Sequence, residues 1–192
     1  MATSRKFSRF NRESSSGAVS QTDQSDDLAT KEIPSGGLCL SVFLVISEEG
    51  RPNIVLMGIL NPDAAWDHIG ALDKSRMEAY KNGWMLPSSH LMIHEPPLEA
   101  AKRVASEQLG LQDITLSEPK VVSEVYQPKR AGAPNDHWDI EFIFKSSLPG
   151  SRLPEHKAWN RLEFVDLNKT KKEEIARSHE DILESAGFRL GG

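Results

Sequence analysis

The sequence predicts an α+β or mixed α/β layer protein. Two apolar, β-rich runs come first, at 37–46 and in NIVLMGIL (53–60). A helix-forming segment follows at 95–111, then three further strand candidates and a second helix near the end. That order of strands, helix, strands, helix fits a sheet layered against helices. At 192 residues the chain suits one domain with a tail rather than two full domains.

The first 34 residues differ from the rest. They are rich in Ser, Thr, Gln and charge and poor in aliphatic side chains, so they bury too little apolar surface to offset their ordering entropy. Residues 1–34 are read as a disordered tail and 35–190 as the folded domain. Arg5, Lys6, Arg9 and Arg12 cluster near the start. A solvated tail is the first reading of them. A weak anion-binding arm and an organelle-targeting peptide are the alternatives, the latter lacking an aliphatic face.

Within the domain, 37–46 is a continuous apolar run with β-branched residues, as in a buried strand. EEGRPN makes a turn, NIVLMGIL is the second strand and NPD breaks it. Asp73 is placed as the N-cap of a short helix reaching Lys81. GWMLPSSHLMI leads into a short strand. Pro96 and Pro97 suit a first helical turn, and Gly110 suits the position just past the last one. ITLSEPKVVSEVYQ, DHWDIEFIFKS and AWNRLEFVDL are strand candidates, with PKRAGAPND a turn or mobile loop between the first two. In the second, Trp138, Ile140, Phe142 and Phe144 alternate with Asp139, Glu141, Ile143 and Lys145. The last helix is expected over about Lys171–Ala186, with Thr170 and Glu173 as its capping box.

Composition narrows the function classes. With 38% hydrophobic and 27% charged residues, the chain is an ordinary soluble globular protein. A net charge of -5 argues against a protein that coats nucleic acid. No apolar run reaches the roughly 20 residues a membrane helix needs. The one cysteine, Cys39, lies in an apolar run and reads as a small buried hydrophobe; a reducing, cytoplasmic setting is the simplest expectation. Oligomeric state is not legible.

On a helical wheel Leu98, Ala101, Ala105 and Leu109 form one apolar stripe, the expected core face. Glu99, Arg103 and Glu107 follow one another at four-residue spacing on another side. Glu99 and Arg103 are expected to pair, and periodicity alone makes this a solvated charged face.

The segment from Ser89 to Leu111 resembles the box of the Nudix family: a glycine, five residues, a glutamate, seven residues, then Arg-Glu-aliphatic-x-Glu-Glu-x-Gly-aliphatic. Glu95, Arg103, Glu107, Gly110 and Leu111 fall at matching positions. The two strands before the box, HWDIEFIF and WNRLEFVDL after it, and the terminal helix extend the likeness over about 36–188. Three positions depart from it: Ser89 replaces the opening glycine, and Val104 and Gln108 replace glutamates.

The resemblance implies a Nudix-type sandwich, a mixed sheet between helices. It also implies a small-molecule ligand: a nucleoside diphosphate linked to another group, or a similar pyrophosphate. In the family, positions 104, 107 and 108 supply a divalent-metal site, three carboxylates at i, i+3, i+4 on one helical face. Here only Glu107 keeps its charge and Gln108 offers a neutral carbonyl. Two readings follow. In one, a binding module has lost most or all hydrolysis and needs no metal. In the other, an altered pyrophosphohydrolase works with Mg²⁺ or Mn²⁺, with Glu107 as main ligand or base, Gln108 as auxiliary ligand, Arg103 orienting Glu107, and Glu95 supporting the loop. Glu99 lies too far round the helix to be a ready substitute. Asp136, Glu141 and Glu155 could reach the site only through the fold, and read first as surface acids. His90 and His94 lack metal-binding spacing. Trp66 and Tyr80, in the long segment between the second strand and the box, are candidates to stack on a base, packing being the alternative.

Overall fold

A computed structural model describes residues 9–10, 37–126, 137–150, 153 and 156–191. The strands are β1 (Arg9–Phe10), β2 (Leu38–Glu48), β3 (Arg51–Leu60), β4 (Ser88–His90), β5 (Lys120–Tyr126), β6 (His137–Leu148) and β7 (Trp159–Asp166). The helices are α1 (Trp66–Ile69), α2 (Lys74–Tyr80), α3 (Pro97–Leu109) and α4 (His179–Ser185). The sheet runs β5-β6-β2-β3-β7, with β1 and β4 also pairing with β2. The β2–β6 pair is parallel and the others are antiparallel, so the sheet is mixed, as expected.

Most of the tail expected over 1–34 lies outside the described residues. Within it, the backbone of Arg9–Phe10 pairs with Leu38–Cys39. The loop PKRAGAPND, and with it Asp136, also lies outside them, as does Glu155.

Side chains alternate across β2. Val42, Leu44 and Ile46 pack with Ala101, Val104 and Ala105 of α3. Phe43 and Val45 pack on the other face with Ile182 and Leu183 of α4. The sheet is thus sandwiched between α3 and α4. A third cluster, built on Leu60, Trp66, Leu72 and Trp159, anchors the insertion before the box. Gly58 permits this, since a Cβ there would stand 2.2 Å from Cε3 of Trp159.

Local expectations fare unevenly. Asp73 caps α2 by accepting from Arg76 N–H at 2.9 Å, and Gly110 ends α3 in the left-handed region at φ 67°. The terminal helix is shorter than expected. Lys172–Glu174 forms a single 3₁₀ turn, closed by Lys171 N–H donating to Glu174, while Thr170 donates to Asp166 O. Ile175 then bridges to Trp84, and Arg177 and Ser178 take positive φ before α4 begins. Burial of Ile175 against the sheet outweighs helix continuity. Among the described residues, no helix is long and apolar enough to cross a membrane.

Candidate functional site

The α3 helix and the loop before it hold the box residues. Arg103 donates to both carboxylate oxygens of Glu95, Nε to Oε1 at 2.7 Å and Nη2 to Oε2 at 2.8 Å. The same Nη2 reaches His90 O at 3.0 Å, and Nη1 reaches Ser89 Oγ at 3.4 Å. Glu95 also accepts from Met92 N–H at 2.8 Å. The pair is nearly buried, and it ties the loop at 90–95 to the helix. Arg103 therefore turns to Glu95, not to Glu99 as the wheel suggested. Glu99 pairs instead with Lys102 in solvent, at 2.9 Å.

The buried face of α3 keeps Ala101, Ala105 and Leu109 of the expected stripe and is wider than it. Leu98 is 43% exposed, whereas Ala100, Ala101, Val104, Ala105, Gln108 and Leu109 face inward. The two substituted box positions are therefore both interior. Val104 has no exposed surface and sits among Val42, Leu44 and Ala101. Gln108 is equally buried, and its amide works as a bracket. Its Oε1 accepts from Ser88 N–H at 3.1 Å, while Nε2 donates to Ser88 O at 2.7 Å and Ile69 O at 3.0 Å. Its own carbonyl accepts from Trp159 Nε1 at 2.8 Å. Gln108 thus joins β4, α1 and β7.

Glu107 is the box carboxylate that keeps some exposure; its Oε2 lies 4.0 Å from Nη1 of Arg103, a looser contact than that with Glu95. Among the described residues, no group of three His, Cys, Asp or Glu is placed to hold a metal ion. These residues do not fit a Mg²⁺ site of the expected kind. One carboxylate remains, the Gln108 oxygen already accepts a backbone N–H, and position 104 is packed in hydrocarbon.

The two aromatic candidates separate. Trp66 is 1% exposed, donates Nε1–H to Asn61 O at 3.0 Å and meets Trp159 edge-on, with centroids 4.8 Å apart. Its ring faces are occupied by packing, which corrects the expectation that it stacks on a ligand. Tyr80 is half-buried at the margin of the same cluster.

On the α4 face the sequence reading missed a second group. Glu141 stands opposite Ser41 of β2, and Ser41 stands opposite His90 of β4, so the three form one row across the sheet. All three are buried, Glu141 to 6% exposure. Burial, reinforced by Glu124, Asp139 and Asp181, pushes its carboxyl up to about 8. This is not the surface acid expected at that position. The alternation of β6 signals the face but not its depth.

No protein-family model matches the sequence, and no curated protein matches it. Solved structures do. The NUDIX domain of Shewanella oneidensis NrtR, determined with ADP ribose, aligns at TM-score 0.55 and 13% identity over 79% of this chain and 87% of that one. A MutT protein from Methanosarcina mazei Go1 aligns at TM-score 0.52 and 14% identity over 77% and 91%. A MutT NUDIX hydrolase from Burkholderia pseudomallei aligns at 0.50 and 16% over 77% and 97%. The chain has the Nudix fold. Within that Nudix fold, the box helix is α3, the loop ahead of it is closed by the Arg103–Glu95 pair, and the substitutions at 104 and 108 fall where α3 meets the sheet and β4.

Proposed function

We propose that this Nudix-fold domain recognises a nucleoside-diphosphate-linked or similar pyrophosphate ligand, and that its hydrolytic activity is weak or lost. The observation that carries the second half is the Gln108 bracket. Nε2 places two hydrogens on two carbonyl oxygens, Ser88 O and Ile69 O. A neutral donor there does for those oxygens what a cation held by a carboxylate at 108 would do. Val104 closes the adjacent position with hydrocarbon. The box keeps the parts that shape the loop, Glu95, Arg103 and Gly110, without the parts that gather a metal.

The first half draws on the Nudix fold and on the NrtR domain, which was determined with ADP ribose. Glu107 is assigned to the ligand side of the loop, and Tyr80, only half-buried, is the aromatic candidate. Neither role requires metal.

The test is a calorimetric titration with ADP ribose in chelator, beside a product assay with Mg²⁺ and Mn²⁺. Binding in chelator with no product is the expected result. Metal-dependent turnover abolished by Glu107→Gln would establish the altered-hydrolase reading instead.

A further inference from the structure

The C-terminal strap over the sheet is pinned at both ends and strained in between. Ala176 N–H donates to Trp84 O at 2.9 Å, and Gly191 N–H donates to Leu167 O at 2.8 Å. Just inside the first pin stand Arg177 and Ser178, at φ 62° and 57°. Two successive non-glycine residues in the left-handed region are unfavourable, and they persist only where neighbouring contacts hold them. The contact that follows directly is His179, the first residue of α4. It is buried, meets Phe43 of β2 edge-on with centroids 5.3 Å apart, and accepts Leu86 N–H on Nδ1 at 2.9 Å.

That hydrogen bond fixes the protonation of the ring. An accepting Nδ1 keeps its lone pair, so the imidazole is neutral and its proton sits on Nε2. Nε2 is buried with no hydrogen-bond partner among the described residues. Protonation adds an N–H at Nδ1 that faces the Leu86 N–H, leaving three donors buried without acceptors. The surrounding charges do not relieve this. Lys172 pairs with Glu184, and Lys120 and Lys145 donate to the carbonyls of Ser185 and Ala186 at the far end of α4. Glu124, Glu141 and Asp181 act on one another, β4 adds His90, and α4 itself adds Glu180. The charge that bears on His179 is Arg177, which opposes a second positive charge beside it.

What the strap covers is held independently. Leu44 N–H donates to Pro87 O at 2.9 Å, and Gln108 brackets Ser88 from the α3 side. The segment carrying Leu86 therefore stays on the sheet if His179 leaves it, and α3 packs on the opposite face. We propose that 177–190 is an acid-released strap, in which protonation of His179 lifts α4 off the sheet between the pins at Ala176 and Gly191 while the α3 face stays packed. Neutral His179 closes the strap, and the two left-handed residues favour its opening. The lifted state uncovers the apolar surface of Phe43, Val45 and Ile143. In that state the imidazole returns to its ordinary value of 6.5, whereas in the closed one it stays neutral to lower pH. Opening is therefore favoured as pH falls, by about tenfold between about pH 7.5 and about pH 5.5.

Hydrogen exchange of the full chain, resolved by peptide and corrected for the intrinsic rate, tests this in wild type and in His179→Asn. Asparagine places an acceptor oxygen near the position of Nδ1 and does not titrate. In wild type, the amides of 182–188 and of Leu86 should lose about tenfold in protection over that pH interval, with those of 97–109 unchanged. In His179→Asn the strap should be weaker at every pH, and its protection should not respond to pH. Constant protection of 182–188 in wild type would overturn the proposal, as would a loss shared equally by 97–109. A pH response that persists in the asparagine variant would overturn it too. The wild-type comparison of α4 with α3 stands whether or not that variant folds well.

Discussion

On the α3 side of the sheet, buried polar side chains end on partners. Arg103 meets Glu95, Ser89 and His90, and Gln108 meets Ser88 and Ile69. On the α4 side, the hydroxyl of Ser88 and the Nε2 of His179 are buried with no hydrogen-bond partner among the described residues. The first pattern is that of a scaffold; the second leaves polar atoms buried without partners. The polar side chains of the box helix are thus tied to the loop ahead of it and to β4.

The hardest way to break this contrast is to rebuild the carboxylate face. Val104→Glu with Gln108→Glu forces one charge into the apolar layer and points another at two carbonyl oxygens. We expect a loss of more than about 5 kcal/mol in chelator, partly restored by Mn²⁺ if the carboxylates capture it. Thermal melts with and without metal check this; a variant as stable as wild type in chelator would show that position 104 opens to solvent.

Arg103→Ala comes next, because it leaves Glu95 buried without its partner. A loss of about 3–5 kcal/mol is expected, read from denaturant midpoints, against a small effect for Glu107→Gln. Comparable losses in the two variants would mean that Arg103 serves Glu107 as much as the loop.

The α4 face is sharpened by pH. Glu141 titrates at about 8 in the fold against an ordinary 4.5, so the folded state holds a proton that the unfolded chain releases. Its contribution is full below the unfolded value and is lost as pH rises toward 8. His179 works in the opposite sense. Burial holds its imidazole well below the ordinary range, with Arg177 adding to the shift, and Nδ1 accepts from Leu86 N–H at 2.9 Å. Its contribution is present above the unfolded value of 6.5 and falls away at lower pH. Between 6.5 and 8 His179 opposes this slope little, and wild type should lose roughly 2 kcal/mol there relative to Glu141→Gln. Parallel stability curves for the two proteins would mean that Glu141 is already ionised in the fold.

The smallest effect is expected at the exposed Lys102–Glu99 pair. Lys102→Ala should change stability by no more than about 0.5 kcal/mol in a thermal melt. A larger change would make that face of α3 more than a solvated one.

Much of the fold was legible because period and punctuation agree. The apolar runs of β2 and β3, the cap at Asp73 and the stop at Gly110 all read directly. The C-terminal segment did not, because Ile175 is buried by a contact with the distant Trp84 that local capping rules cannot register. Box spacing located Glu95, Arg103, Glu107 and Gln108, but not their partners. Arg103 has acids on both sides, and only the path of the loop at 90–95 selects Glu95. The wheel placed Ala101, Ala105 and Leu109 in the core correctly but not Leu98, an end residue past two prolines that faces solvent. Glu141 was the least legible. An acid on an alternating strand reads as solvent-facing until α4 is known to cover that face.

We propose that α3 serves as a scaffold and not as a metal site. Calorimetric titration of the full chain with Mn²⁺, without nucleotide, tests it most directly. No tight stoichiometric binding is expected, and wild type and Glu107→Gln should give the same heats. Tight binding of one ion, lost in Glu107→Gln, would contradict it.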